Sequence, residues 1–159
     1  MKVLSFDKYD RVKKLCKDVK EGNVFAFDFA ASLLASMVSE DDILVPIPGR
    51  FGRATYTLSL AARIAYKTGC RVCNCLKGEV RDSMCDLKHE GKEIQAPEFR
   101  KAFKLLEKGN YLLLDNVYDT GLTAKAAAKV LGKKCDILVL AKTDDKRKRP
   151  VPKTNRKTL

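Results

Sequence analysis

The chain has 159 residues, 45% of them apolar, and carries a net charge of +12 from 32 basic and 20 acidic residues. That length is about one domain and buries roughly two thirds of the unfolded chain's surface, so a disulfide or metal scaffold is not required. No apolar run approaches the ~18 residues of a membrane span, MKVLSFDKYDRVKK lacks an apolar signal core, which points to a cytoplasmic protein, and the positive excess points to an anionic partner, a phosphorylated small molecule or nucleic acid.

In chain order, residues 7–20 place Val12, Leu15 and Val19 at helical spacing, with Gly22 as a stop. Residues 25–38 read as a second, apolar helix, and residues 43–47 as a short apolar strand after Glu40-Asp41-Asp42. Residues 55–67 read as a helix with Leu58, Ala61, Ala62 and Ala65 on one stripe and Gly69 after it. Residues 70–76 read as a strand. Its CRVCNC run looks like a metal motif, but a strand would turn Cys73 and Cys75 to one face and Cys70 to the other. With a single histidine, His89, the six cysteines are expected to be thiols and small apolar fillers rather than zinc ligands.

Residues 77–95 are polar and weakly periodic, a long loop of the kind that covers active sites. Residues 111–115 form an apolar strand, residues 123–131 a helix stopped by Gly132, and residues 136–141 another buried strand. Alternating strands and helices predict an α/β fold with a mostly parallel sheet flanked by helices, and ligands outside the carboxyl ends of its strands. The expected layout is a single domain over residues 1–145 and a basic tail over 146–159. The stretch KTDDKRKRPVPKTNRKTL carries eight Lys or Arg and two acids, either a solvated end or a nucleic-acid arm.

YLLLDNVYDTGLTAKAAAKVL, residues 111–131, is the most informative segment. The strand delivers Asp115 and Asn116 to the sheet edge. Asp119-Thr120-Gly121-Leu122-Thr123 then turns directly into a helix. Gly121 permits a tight turn with positive φ. The free N–H groups of the following helix start favour a phosphate, and Thr120 and Thr123 add hydroxyls. A carboxylate and an amide one turn earlier suit a diol. A phosphate cradle beside a diol clamp describes a ribose 5-phosphate site.

The same run resembles the phosphoribosyl-pyrophosphate (PRPP) fingerprint of type I phosphoribosyltransferases: four apolar residues, two acids, then D-x-x-T-G-x-T or close to it. DDILVPIPGRFGRATYTLSLAARIA is similar to the strand, pyrophosphate-binding loop and helix of the ComF-like competence-protein group. LKGEVRDSMCDL and RKAF resemble that group's flexible loop and its return to the sheet. The similarity covers roughly residues 11–142.

The resemblance implies a type I phosphoribosyltransferase-like fold, with the 5-phosphate on Asp119, Thr120, Gly121, Leu122 and Thr123 and the ribose hydroxyls on Asp115 and Asn116. It implies pyrophosphate at Pro48, Gly49 and Arg50, with Arg53 nearby, and Mg²⁺ carried by PRPP and reached through Asp115. Lys77, Arg81, Lys88 and His89 are the candidates to close over the site. Asp119 would act as general base at the nucleobase, and Lys142 and Tyr118 are the candidates to contact that base. The implied reaction transfers the 5-phosphoribosyl group to a nucleobase or similar nitrogen nucleophile and releases pyrophosphate. The other reading is a weak or inactive PRPP- or nucleotide-binding module acting with nucleic acid through the tail; a homodimer is compatible with both. Asn116 stands where the common pattern has a second acid. It keeps the hydrogen bonding and loses a charge, so ribose binding is expected to outlast metal affinity or rate.

Overall fold

Five parallel strands form the sheet, in the order β1-β7-β6-β2-β3, in the computed structural model, which describes residues 1–105 and 108–144. The strands are β1 (Val3–Lys8), β2 (Asp42–Pro46), β3 (Arg71–Val72), β6 (Asn110–Tyr118) and β7 (Cys135–Lys142). A separate antiparallel hairpin pairs β4 (Leu76–Gly78) with β5 (Phe99–Lys101). The helices are α1 (Tyr9–Lys20), α2 (Val24–Ala35), α3 (Tyr56–Thr68), α4 (Met84–His89) and α5 (Leu122–Leu131). The parallel α/β sheet expected from the sequence is present; the tail, residues 146–159, lies outside the described residues.

Side-chain alternation along the central strands builds two cores. Leu112, Leu114, Leu138 and Leu140 face α1, α2 and α3, while Tyr111, Leu113, Ile137 and Val139 face α5 and the hairpin. Both faces are covered, so the central strands read as continuous apolar runs. The β6 and β7 strands occupy the middle and register Leu113 on Ile137 and Leu114 on Leu138. Among the described residues, no helix is long and apolar enough to cross a membrane.

Three expectations change. The chain opens with strand β1, and the helix expected over residues 7–20 begins at Tyr9. β1 is half-buried at the sheet edge, so its apolar signal is diluted. The single strand expected over residues 70–76 is two short ones: Cys73 N still donates to Leu44 O of β2 (2.8 Å), and the chain then leaves the sheet for the hairpin. Cys73 and Cys75 therefore do not share a strand face; Cys75 is fully buried against Leu76 and its neighbours. Third, the long loop over residues 77–95 contains α4, which runs from Ser83 as its N-terminal flank to His89.

Candidate functional site

β6 runs three residues past the expected end, through Tyr118, and carries the site to the carboxyl edge of the sheet. Only Asp119, Thr120 and Gly121 separate it from α5. Gly121 has φ +80°, and a Cβ there would overlap the Tyr118 hydroxyl, so glycine is required both by conformation and by space. The Thr120 hydroxyl accepts from Leu122 N at 3.4 Å, a long bond that bends the turn toward the helix. The first-turn N–H groups of α5 thus open at the edge, where helix starts favour anions.

The two aspartates of the run have different surroundings. Asp115 accepts from Asn116 N at 2.7 Å. Burial pushes its carboxyl up to about 6, opposed by that N–H, by Arg81 and Lys20, and by Tyr56. Asp119 is exposed and held from two sides: Lys88 Nζ donates to Oδ2 at 2.9 Å and Thr143 Oγ1 donates to Oδ1 at 2.7 Å.

Asn116 does not join them. Its side chain is buried, 4% exposed, and Nδ2 donates to Cys16 O of α1 at 2.7 Å. Alternation sends it, like Leu112 and Leu114, to the α1 face. Its Oδ1 is buried without a hydrogen-bond partner. The amide placed by the sequence in a diol clamp is, in this geometry, part of the joint between β6 and α1.

The loop after β2 is fastened at both ends. Pro48 is buried, Thr57 Oγ1 donates to Ile47 O at 2.8 Å, and Gly49 N donates to Arg53 O at 3.0 Å. It is also stitched to the covering segment: Gly78 N donates to Gly52 O (3.0 Å), Arg81 N donates to Arg50 O (2.8 Å), and Phe51 bridges Val80. Arg50 turns toward α4, with Nη1 3.7 Å from Asp86 and its guanidinium 4.7 Å from the Phe51 ring centroid.

The four covering candidates separate. Arg81 lies beside Asp115, its guanidinium partly desolvated and its Nε buried without a partner. Lys88 reaches Asp119. His89 is exposed at the end of α4. Lys77 sits on β4 opposite Arg100. The base candidates converge, since Tyr118 and Lys142 are paired across β6 and β7 and Lys142 Nζ lies 5.9 Å from the Tyr118 ring centroid.

Four contacts escaped the sequence reading. Thr143 follows Lys142 directly, and strand-end placement could have found it. Tyr56 opens α3 beside Asp115, and Met84 receives the Thr123 hydroxyl at 3.3 Å; neither has a sequence signature. The partner of Asn116 is a backbone carbonyl 100 residues away, invisible in sequence. A cleft of about 600 Å³ lies between the loop after β2 and the covering segment, lined by Arg50, Arg81, Asp82, Ser83 and Asp86 among others. Among the described residues, no three His, Cys, Asp or Glu gather into a metal-binding group.

No protein-family model matches the chain, and no curated protein matches its sequence. Solved structures share the outline faintly. The allosteric regulatory enzyme of purine biosynthesis aligns with a TM-score of 0.47 at 15% identity, over 71% of this chain and 25% of its own. A hypoxanthine phosphoribosyltransferase from Staphylococcus aureus gives 0.44 at 18% identity, over 91% and 70%. A hypothetical protein from Neisseria gonorrhoeae with bound ppGpp gives 0.45 at 18% identity, over 97% and 80%. The chain spans a quarter of the length of the first of these. At such scores the likeness carries no argument about activity.

Proposed function

We propose that this chain binds PRPP and transfers its 5-phosphoribosyl group to a nucleobase or a similar nitrogen nucleophile. The observation that carries the reading is the run from Leu112 to Thr123. Its fingerprint pattern coincides with a strand end, a positive-φ glycine and a helix start, and it leaves Asp115 and Asp119 at the sheet edge.

In this reading the 5-phosphate occupies the helix start after Gly121, and Asp115 accepts from the ribose hydroxyls. The C1–O bond to pyrophosphate breaks with its electron pair leaving on the pyrophosphate, and a C1–N bond forms. Asp119 takes the proton from the attacking nitrogen. Negative charge builds on the leaving group, where Arg50 and Arg81 both line the cleft between the loop after β2 and the covering segment. Lys142 and Tyr118 offer a donor and a ring face to the base. Mg²⁺ is usually held by substrate oxygens and water with one or two carboxylates; Asp115 fits that role, and Asn116 does not while its amide is bound to Cys16 O. When bound, the ion would neutralise charge on the pyrophosphate.

The Asn116 geometry favours a second reading, a PRPP-binding module with little turnover. Calorimetric titration of PRPP with and without Mg²⁺, followed by a base screen for pyrophosphate release, separates the two. Metal-dependent binding with release supports the transferase, binding without release supports the module, and no binding sinks both. Asp115→Ala is expected to abolish PRPP binding; unchanged affinity would remove Asp115 from the site.

A further inference from the structure

A second cleft lies on the hairpin side of the loop after β2. It has a volume of about 480 Å³ and is lined by Phe51, Gly52, Arg53, Lys77, Gly78, Arg100 and Ala102. It shares no residue with the turn from Asp115 to Thr123. Arg50 and Arg53, three residues apart on one loop, line different clefts.

Among the described residues, no acid lines this cleft and none is paired with its cations. Lys77 and Arg100 are directly opposite each other in the β4–β5 ladder. Like charges in that position destabilise a hairpin, whereas opposite charges would support it. Arg53 adds a third cation at the same wall. None of the lining residues is acidic, and among the described residues none of the three cations makes a salt bridge. The nearest acids along the chain, Glu79 and Glu98, are exposed and do not line the cleft. This contrasts with the rest of the covering segment, where Arg50 meets Asp86 and Lys88 meets Asp119.

Two further features narrow the ligand. A Cβ on Gly52 would overlap the Gly78 carbonyl, so the floor is bare, closely packed backbone. Phe51 lines the cleft with 64% of its surface exposed; Phe103, 53% exposed, follows Ala102 in the chain without lining the cleft. Cations that track a phosphate backbone, together with exposed rings on which bases stack, are how proteins hold single strands.

We infer that this cleft is a binding surface for single-stranded nucleic acid, with Arg53, Lys77 and Arg100 on the phosphates and Phe51 under a base. The inference does not need the transferase reading or the basic tail, although Arg53 and Lys77 are candidates of that reading too and Phe51 lines both clefts. Arg100, which belongs to no part of the transferase site, gives the cleanest test.

The experiment is fluorescence anisotropy of a labelled oligothymidylate against the full chain, across a salt series. Arg100→Glu should weaken binding about tenfold or more and reduce the slope of log affinity against log salt by roughly one or two. Thermal melting of the same variant should be unchanged or raised, because Glu opposite Lys77 replaces a like-charge pair, so lost binding cannot be ascribed to unfolding. Phe51→Ala should cost about fivefold or more through lost stacking. Wild-type affinity in Arg100→Glu, with binding lost on deleting residues 146–159, would assign nucleic acid to the tail and overturn the inference. Equal competition by heparin with no effect of Phe51→Ala would also overturn it, leaving a surface for any polyanion. So would saturation by a mononucleotide without oligonucleotide binding.

Discussion

The turn from β6 into α5 and the covering segment above it meet the same prospective ligand, yet they are built by different physics. The turn is fixed by its own neighbourhood: β6 lies between two partner strands, and Gly121 takes a conformation that few other residues tolerate, with Tyr118 filling the space a side chain would need. The covering segment is fixed from outside. Its helix α4 has no buried residue, and its links to the site are two ion pairs and a hydroxyl–thioether contact. Exposed ion pairs contribute roughly 0–1 kcal/mol each. Moving α4 therefore costs little, whereas the rest of the segment is stitched by backbone to the loop after β2 and the turn is held by its own conformation.

Mutations can break or sharpen that contrast, and the largest effect should come from the rigid side. Asn116→Asp, which restores the second acid of the common pattern, would leave a carboxylate facing the Cys16 carbonyl that the amide now serves. A buried charge without a partner costs about 3–5 kcal/mol. The variant should melt well below wild type and gain no PRPP affinity; a stable variant with improved Mg²⁺-dependent binding would show that Asn116 turns toward the ligand.

Asp115 should show a conflict between stability and binding. Its pKa is raised above that of the unfolded chain, so the fold favours the protonated form. That stabilisation is full below about pH 4 and is lost as pH rises through about 6. Asp115→Asn should therefore be more stable at pH 7, by up to roughly 3 kcal/mol, and should flatten the stability profile between those values. PRPP affinity should run the opposite way in wild type, falling as pH drops through about 6 and the accepting carboxylate is lost. Denaturant melts and titrations across pH read both; parallel changes would remove Asp115 from the diol role.

Gly121→Ala should cost about 1–3 kcal/mol, the strain of a side chain at φ +80°, and should weaken phosphate binding more than Thr120→Ala does. The smallest effect belongs to the cover. Lys88→Ala should change stability by no more than about 1 kcal/mol. If Lys88 only latches the lid, PRPP affinity should rise by up to about fivefold, the equivalent of that free energy. A loss of turnover with unchanged affinity would instead make Lys88 part of the chemistry.

Legibility in the sequence followed the same division. β6, Gly121 and α5 could be read because apolar run, glycine and alanine-rich helix are contiguous and each dictates its own conformation. The parallel sheet followed from their alternation with the earlier helices. β1 was not legible, since VLSFDK is a half-buried edge strand with a weak pattern. The break at Cys73–Cys75 was hidden because the ladder to β2 ends before the apolar character does. α4 has six residues and no apolar stripe, so nothing local announces it. At the end of β6 the letters were readable and the direction of their side chains was not. Asp115 and Asn116 are adjacent letters, but the pleat sends one to the edge and the other into α1.

The outermost pairing of the sheet, β1 on β7, has a consequence for the order of assembly. Val3 lies against Ile137 and Lys8 against Lys142, contacts that close nearly the whole described chain into a loop. Such distant partners delay folding, because the loop's entropy is lost before the contact rewards it. During synthesis β1 has to wait for β7, which is made more than a hundred residues after it. Once residue 116 is made the Cys16 carbonyl can accept from Asn116, but β1 has no neighbour until β7 follows. The amino-terminal edge should thus join the sheet late, together with its central strands, leaving VLSF without a strand partner, as a target for chaperones, until β7 has emerged.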